Sequence, residues 1–199
     1  MVQPLILASG SDIRTRLLAQ AGVEHRVIAA RVDEEMIKQA MLAGEAKPRD
    51  IADTLAEMKA RKVSDKNPGA LVLGCDQVLD HRGFMLSKPI DRADAIRQLQ
   101  ALRNDRHSLL SAAVICEDGK PIWRHVGQVR LRMRQVSDDY LTDYVARNWD
   151  SIRHAVGCYK LEEEGVRLFS NIEGDYFNVL GMPLLELLNY LTLRGDLAT

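Results

Sequence analysis

Two apolar runs of strand length, far apart in the chain, both end in polar residues. Residues 5–8 lead into a Ser-Gly-Ser turn and then into an amphipathic helix that carries Arg14. Residues 71–79 form the second run, which contains Asp76. The first backbone N–H groups of a helix are free to bind an anion. An ionised carboxylate in a buried strand costs several kcal/mol unless a cation, a metal or a hydrogen-bond donor meets it. A site that contains both anion-binding N–H groups and a buried carboxylate is most simply a metal–phosphate site.

The composition is that of an ordinary globular protein. The 199 residues are 46% hydrophobic and 28% charged, which is enough to bury the core of one domain. The formal net charge of -1 gives no reason to expect nucleic acid or a membrane surface as a partner. No segment has the length of a membrane span. Cys75, Cys116 and Cys158 are odd in number and far apart, as in a reduced cytoplasmic protein without a zinc site.

Strand and helix patterns are intermixed along the chain. Strands are predicted at residues 5–8, 27–29, 71–79, 84–86, 107–117, 122–134 and 166–172, and helices at about 13–21, 36–43, 49–64, 95–102, 137–147 and 183–194. The two longest strands flank a turn at 118–121 and therefore form an antiparallel pair. We expect an α/β (α+β) fold with a central mixed sheet.

The second of the long strands has a basic face. Its residues alternate, so Arg130, Arg132 and Arg134 share one side and apolar residues share the other. A solvated sheet face explains this pattern best. An RNA-binding face is the alternative, and its affinity would weaken steeply with salt. The near-neutral net charge favours the solvated face.

Four ionisable residues are candidates for catalysis. Asp76 either pairs with a nearby donor or belongs to a metal site, and Glu34 joins it only if folding brings the two carboxylates together. Two such carboxylates could hold Mg²⁺. Lys59 lies inside the apolar stripe of helix 49–64, so it needs a counter-charge or a route to solvent. Lys88 is a surface lysine or, with Lys59, a partner for a triphosphate.

The first turn offers anion donors. Ser9 and Ser11 form either a phosphate site or only a strand-to-helix connection, because small residues serve both. Arg14 follows on the first helical turn, away from the apolar stripe, where its guanidinium could grip a phosphate through two hydrogen bonds. The histidines show no paired ligand spacing, so we assign none of them to a metal or to catalysis.

Six motifs, taken in chain order, resemble those of the Maf family of nucleoside triphosphate pyrophosphatases. They are Leu-Ala-Ser-x-Ser-Pro-Arg-Arg at 7–14, Val-Asp-Glu at 32–34, Leu-Ala-x-x-Lys-Ala at 55–60, Gly-x-Asp-x-Val at 74–78, Lys-Pro at 88–89, and Gly-Asp-Tyr-x-x-Val-x-Gly-x-Pro-Leu at 174–184. In the first motif, Asp12 and Ile13 replace the family's proline and first arginine. The match runs from about residue 5 to residue 193.

The resemblance implies a fold, a reaction and a set of roles. The fold is one domain over residues 1–199, elongated and two-lobed like Maf and ITPase-like proteins, with a cleft between the lobes and commonly a homodimer. The reaction is hydrolysis of a nucleoside triphosphate between the α- and β-phosphorus atoms, with Mg²⁺ or Mn²⁺, to a monophosphate and pyrophosphate. The family's catalytic aspartate falls on Asp76 and its second acidic residue on Glu34, and both would hold the metal. Its phosphate-binding cations fall on Arg14, Lys59 and Lys88.

The choice of base also follows from the resemblance. Gln77, and a Gly-x-Tyr segment that continues through Lys160 to Glu162, are more similar to the 7-methyl-GTP branch of the family than to its dTTP and UTP branch. The Glu162 carboxylate suits guanine, whose Watson–Crick edge donates hydrogen bonds. Ile13 stands where that branch carries a tryptophan, which could stack on a cationic base. We expect a guanine-like or modified nucleotide as substrate. The alternative is a regulator of cell division that binds nucleotides without hydrolysing them.

Overall fold

A seven-stranded mixed sheet forms the centre of the fold. The structure, a computed structural model, describes residues 5–198. The strands are β1 (Leu5–Leu7), β2 (His25–Val27), β3 (Val72–His81), β4 (Phe84–Leu86), β5 (Arg106–Glu117), β6 (Lys120–Met133) and β7 (Phe169–Glu173). The α-helices are α1 (Asp12–Gln20), α2 (Glu34–Ala43), α3 (Pro48–Ser64), α4 (Arg92–Leu102), α5 (Asp138–Ile152), α6 (Tyr176–Val179) and α7 (Leu184–Arg194). The strand order is β2-β1-β3-β5-β6-β7, with β4 paired to β3 outside this path.

The central strand β3 is covered by helices on both faces. On one face, Val78 packs with Ala56 and Ala60 of α3. On the other face, Leu73 belongs to a cluster with α1 and α7, and Leu79 belongs to a second cluster with α4 and α5. Because side chains alternate along a strand, one apolar strand contributes to several cores. The predicted α/β fold with a central mixed sheet is confirmed.

The edge of β3 that faces β1 is only partly paired. β1 runs parallel to β3 and pairs with Val72 and Leu73. β4 runs antiparallel to β3 and pairs with it from Leu79 onward. Within the part of the chain that the structure describes, residues 74–78 have no strand beside them on this side. The sheet therefore has a gap at its edge, and Asp76 lies in the middle of that gap.

Several helix ends carry side-chain or glycine caps. Asp33 accepts a hydrogen bond from the backbone N–H of Met36, so α2 begins at Glu34. Ser137 caps α5 in the same way, as predicted. At the other end of the chain, α7 closes on Gly195 in the left-handed conformation, as its sequence indicates. No helix within residues 5–198 combines the length and apolarity that a membrane span requires.

Several predicted boundaries are wrong. The second strand is residues 25–27 rather than 27–29, because its register is set by pairing with β1, from Leu5 opposite His25 to Leu7 opposite Val27. The predicted strand 166–172 is a short 3-10 helix, Glu164–Leu168, followed by β7. Close packing of Gly165 on the backbone of Lys160 accounts for that turn. The helix predicted at 137–147 continues to Ile152, and the last helix starts at Leu184 with Pro183 as its N-cap. The short helix α6 was not predicted.

The basic face of β6 is exposed to solvent. Arg130, Arg132 and Arg134 are exposed, whereas Val129, Leu131 and Met133 are buried. The alternation predicted from the sequence is therefore confirmed. Exposure is expected of a solvated face and of an RNA-binding face alike, so the choice between them stays a prediction.

We predict that Gly74→Ala destabilises the fold strongly. A Cβ at residue 74 would lie 2.7 Å from the backbone nitrogen of Ala60 and closer still to the carbonyl oxygen of Ala56, so α3 would have to move away from β3. Overpacking of this kind costs about 3 kcal/mol or more when the obstacle is backbone. Chemical denaturation of both proteins measures the loss.

Gly44→Ala is the matched control for this prediction. Residue 44 has negative φ, and an added Cβ would meet nothing nearer than 3.5 Å. Its unfolding free energy should stay within about 0.5 kcal/mol of the wild-type value. Equal stability of the two glycine variants would show that α3 does not depend on the close approach at residue 74.

Candidate active site

A cavity of about 680 Å³ opens at the gap in the edge of β3. Its wall includes residues from the turn after β1, from α1, α2, α3, β3, β5 and α6, and from the segments after β4, α5 and α6. The residues predicted from sequence all line it: Ser9, Ser11, Ile13, Arg14, Glu34, Lys59, Asp76, Gln77, Lys88, Lys160 and Glu162. Folding thus brings together side chains that are distant in the sequence, the farthest being Ser9 and Glu162, which are 153 positions apart.

Lys59 joins the two carboxylates at the centre of the cavity. Its Nζ lies 2.7 Å from Oδ1 of Asp76 and 2.8 Å from Oε1 of Glu34. The side chains of Lys59 and Asp76 are 10% and 6% exposed, and that of Glu34 is 37% exposed. The inward lysine thus has the counter-charges that its place in the apolar stripe requires. Both carboxylates lie within hydrogen-bond distance of one ammonium group.

The positive surroundings favour the ionised form of Glu34. Burial alone raises the pKa of Glu34, because it removes water from the carboxylate. Lys59 offsets this through its charge and its hydrogen bond, and Lys38 and Lys88 add further attraction. The net result is a pKa of Glu34 below its ordinary value of 4.5. Glu34 is therefore a carboxylate at neutral pH.

The residues fit a divalent cation that keeps most of its water. Oδ2 of Asp76 is buried and has no hydrogen-bond partner among the described residues, which leaves it open to a metal or a water molecule. The same residues contain no cluster of three or more His, Cys, Asp or Glu side chains. Mg²⁺ is usually held by one or two carboxylates together with water and substrate phosphates. Asp76 and Glu34 would hold such an ion.

The turn before α1 supplies backbone donors. The N-cap residue Ser11 makes no side-chain capping hydrogen bond, so the first N–H groups of α1 are not satisfied by it. The Ser11 N–H itself donates to Oγ of Ser9 at 3.3 Å. Gly10 is exposed at the tip of the turn. An anion could therefore approach this turn from the cavity.

Arg14 is more deeply buried than its sequence position indicates. Its Nε donates to the carbonyl oxygen of Gly181 at 2.8 Å, and its Nη1 donates to Cys75 O at 3.1 Å and to Ser9 Oγ at 3.2 Å. The bond to Cys75 satisfies a carbonyl on the unpaired edge of β3. The guanidinium thus ties the anion turn to β3 and to the loop after α6. The assignment of Arg14 to phosphate stays a prediction.

Gln77 and the residues after α5 form the other end of the cavity. Nε2 of Gln77 faces three acceptors, Ser111 Oγ and the carbonyl oxygens of Asn178 and Val179, at 2.9 to 3.0 Å. Nζ of Lys160 lies 3.4 Å from Oε1 of Glu163. Glu162 also lines the cavity, and it is exposed to solvent. Apolar side chains complete this end: Leu109, Val156, Tyr159, Leu161, Val179 and Leu180.

Sequence reasoning missed several residues of the cavity. Lys38 and Arg16 line it, as do Tyr159 and His154. The spacing of Lys38 from Glu34, one helical turn, is a signal that could have found it. Tyr159 lies within the Gly-x-Tyr segment that the sequence analysis relates to the choice of base. Its place in the wall could not be inferred before the chain after α5 was positioned.

A buried histidine holds Tyr159 in place. Nε2 of His107 lies 2.7 Å from the Tyr159 hydroxyl, and the Tyr159 and Phe169 rings meet edge to face at 4.6 Å between centroids. Nδ1 of His107 is buried and has no partner in residues 5–198. Burial lowers the pKa of His107 to about 4, and the nearby His81 acts in the same direction. His107 is therefore uncharged at neutral pH.

Cys75 belongs to the core. It is completely buried in the cluster that contains Leu73 and residues of α1 and α7. Burial raises the pKa of its thiol to about 11. All three cysteines are buried and unpaired. Cys75 is therefore a packing residue beside Asp76 rather than a nucleophile.

The fold and the site define a class of protein. This is an α/β protein whose cavity places two carboxylates, several cations and an uncapped helix start around one opening in a sheet, an arrangement suited to a phosphorylated ligand. The Maf-like protein family matches residues 4–193, and the chain belongs to that family. The membership agrees with the resemblance carried by the six sequence motifs.

Curated relatives are similar over their whole length. The chain is 78% identical to "Nucleoside triphosphate pyrophosphatase" of Roseobacter denitrificans, covering 99% of both chains. It is 68% identical to the protein of that name in Ruegeria pomeroyi over 100% of both, and 48% identical to the one in Caulobacter vibrioides over 98% of this chain and 97% of that one. A solved nucleoside-triphosphatase / dITP/XTP pyrophosphatase from Mycobacterium abscessus overlaps with a TM-score of 0.43 at 14% identity, covering 98% of this chain and 95% of that one.

We predict that His107 makes stability depend on pH in a defined window. The pKa of His107 falls from 6.5 to about 4 on folding, so the unfolded chain takes up the proton first as the pH decreases. The unfolding free energy contributed by this group is thus present above pH 6.5 and is lost between pH 6.5 and 4, by about 3 kcal/mol. Urea denaturation of wild type and His107→Gln across this range measures it.

The glutamine variant keeps a polar partner for Tyr159 and cannot titrate. Its unfolding free energy should fall less than that of the wild type over this range. His154→Gln removes an exposed histidine and should follow the wild-type curve. If His107→Gln and wild type lose the same free energy between pH 6.5 and 4, His107 is not held uncharged in the fold.

Proposed function

We propose that this protein hydrolyses a nucleoside triphosphate to a nucleoside monophosphate and pyrophosphate, with a divalent cation. The observation that carries the proposal is the contact of Lys59 with both Asp76 and Glu34 inside a cavity that also contains Lys38 and Lys88. Such a site offers ligands for a cation and positive charge for a polyphosphate. The similarity to proteins named nucleoside triphosphate pyrophosphatase supports the same reaction.

The cavity suggests how the substrate lies. The uncapped start of α1 and the lysines of α2 and α3 form its polar end, which suits the triphosphate. Leu109, Tyr159 and Leu161 form an apolar end, which suits the nucleoside. Asp76 and Gln77 are consecutive on β3, so their side chains point to opposite faces of the strand, Asp76 toward Lys59 and Gln77 toward α6. This orientation puts the α-phosphorus beside Asp76.

The chain's own residues account for most of the chemistry. Water attacks the α-phosphorus, the bond between this phosphorus and the oxygen bridging to the β-phosphorus breaks, and pyrophosphate leaves. Oδ2 of Asp76, which has no partner among the described residues, either takes the proton of the attacking water or would hold the metal. Lys59 and Lys88 offset the charge that develops on the leaving pyrophosphate. A bound Mg²⁺ or Mn²⁺ supplies charge stabilisation at the phosphate oxygens.

The proposed base is guanine or a modified guanine. Glu162 lies at the rim of the nucleoside end, where its carboxylate can accept hydrogen bonds from the base. Gln77 lies deeper, with its Nε2 bound to protein oxygens. A panel of nucleoside triphosphates that includes GTP, 7-methyl-GTP, dTTP and UTP tests this. Preference for dTTP and UTP would contradict the proposed base and leave the proposed reaction intact.

We predict that Asp76→Asn abolishes pyrophosphate release and leaves the fold intact. Asparagine keeps the size of the side chain and can still accept a hydrogen bond from Lys59, but it neither accepts a proton nor binds a cation well. Loss of a general base alone reduces turnover by about 10² to 10⁴-fold. Pyrophosphate release with Mg²⁺, together with circular dichroism of the free protein, measures both effects.

Asp50→Asn is the control, because Asp50 is an exposed carboxylate on the first turn of α3 that does not line this cavity. It should keep wild-type turnover. Retained release by Asp76→Asn would refute the role of Asp76. A wild-type protein that binds nucleotides and releases no pyrophosphate would favour a regulator that binds nucleotides without hydrolysis.

We predict that Lys59→Met lowers stability and strengthens binding of Mn²⁺ in the absence of nucleotide. Methionine fills the apolar stripe but leaves Asp76 buried without its counter-charge, which costs about 3 to 5 kcal/mol. In the wild type, a cation competes with the ammonium for the two carboxylates. Thermal unfolding with and without Mn²⁺ should therefore show a larger stabilisation in the variant than in the wild type.

Lys62→Met provides the control, since Lys62 lies on the outer side of the same helix. Electron paramagnetic resonance of free Mn²⁺ gives the affinities directly. Equal Mn²⁺ affinity in Lys59→Met and wild type would contradict the idea that Lys59 and the metal share the same carboxylates.

The homodimer and the cytoplasmic location are also proposals. The resemblance to the family supports the homodimer, and three buried, unpaired cysteines are compatible with a reducing compartment. Sedimentation equilibrium of the purified protein tests the dimer. A monomer at micromolar concentration would contradict it.

A further inference from the structure

Six lysine and arginine side chains line the cavity, and three of them have hydrogen-bond or ion-pair partners in the part of the chain that the structure describes. Of the other three, Arg16 and Lys88 are exposed. Lys59 contacts two carboxylates, Arg14 donates to two carbonyl oxygens and a hydroxyl, and Lys160 lies beside Glu163. Within residues 5–198, Lys38 makes neither a hydrogen bond nor an ion pair at contact distance, although it lines the cavity and is half-buried. An anionic ligand could therefore supply the negative charge that pairs with the ammonium group of Lys38.

The geometry of α2 directs Lys38 toward the site. Glu34 is the first residue of α2, and its carboxylate contacts Lys59 inside the cavity. Lys38 lies four residues later, so the two side chains share one face of the helix. Glu35, the other acidic residue of the first turn, is bound to Gln39 at 2.8 Å. Both acidic side chains thus have other hydrogen-bond partners, and Lys38 acts on Glu34 through its charge without an ion pair at contact distance.

The position of Lys38 along the helix identifies the part of the substrate it can reach. Four residues of α-helix span about 6 Å along the axis. Lys38 thus lies about one turn of α2 beyond Glu34, the residue that contacts Lys59. If the α-phosphorus lies beside Asp76, the next positive charge along α2 meets phosphates farther from the nucleoside. Lys38 and Lys88 both favour the ionised form of Glu34 and so lower its pKa through their charge.

We propose that Lys38 binds the terminal phosphate of the substrate and makes the enzyme prefer nucleoside triphosphates over diphosphates. This rests on the proposed function, because it uses the orientation of the triphosphate given there. A charge-assisted hydrogen bond from lysine to the γ-phosphate is available to a triphosphate and is lost with a diphosphate. Lys38 is a specificity-determining residue that does not take part in bond breaking.

Lys38→Gln tests this, with Lys47→Gln as the matched control. Both variants remove one positive charge, and Lys47 lies at the N-cap of α3 outside the cavity. In Lys38→Gln, we expect kcat/KM for the nucleoside triphosphate to fall about 10-fold, as for loss of one hydrogen bond to a charged group. The inhibition constant of the corresponding nucleoside diphosphate should stay within about two-fold of wild type. Lys47→Gln should change neither quantity, and Lys38→Arg should recover most of the loss.

A probe without a nucleoside separates this proposal from the proposed function. Isothermal titration calorimetry with inorganic tripolyphosphate and Mg²⁺ needs no turnover, and Lys38→Gln should weaken that binding about 10-fold. If wild type releases no pyrophosphate from any nucleotide, the proposed function fails while this binding still tests Lys38. Wild-type tripolyphosphate affinity in Lys38→Gln, or an equal loss for triphosphate and diphosphate, would overturn the role of Lys38. Circular dichroism confirms that each variant is folded.

Discussion

The ionic contact of Lys59 with Asp76 and Glu34 is the interaction on which the site depends. A buried aspartate or lysine alone would be costly, but the two offset each other at 2.7 Å, and Glu34 completes the group from the rim. The contact also links three elements, because Lys59 is on α3, Asp76 on β3 and Glu34 on α2. Loosening any of these elements would separate the charges.

The backbone around this contact is as specific as the charges. Gly74 lets α3 lie so close to β3 that a side chain there would meet the backbone at residues 56 and 60. That closeness brings Lys59 within reach of Asp76, two residues farther along the strand. The partial pairing of β3 then leaves the opening through which a ligand reaches them. Arg14 satisfies one carbonyl of this open edge and so stabilises it without closing it.

The sequence predicted the helices and strands whose apolar residues recur with strong periodicity. It also indicated the site residues that interrupt such apolar patterns with a charge. The helix that carries Lys59 and the long hairpin of β5 and β6 followed from their apolar patterns. The short elements did not, because a three-residue strand such as β2 is positioned by its partner rather than by its own residues. Lys38 was missed for a related reason, since a lysine on an amphipathic helix looks solvated until the neighbouring elements are in place.

What the sequence determined by itself is the identity of the charged groups and the apolar stripe that forces Lys59 inward, since these depend only on local spacing. What the tertiary structure decided is which groups meet. Arg14 turns into the protein, Lys38 lines the cavity, and His107 contacts Tyr159 in the cavity wall. These outcomes rest on contacts between residues that are distant in the sequence. Arg14, for example, donates to Cys75, 61 positions away, and to Gly181, 167 positions away. The local pattern of apolar and polar residues carries no information over such separations.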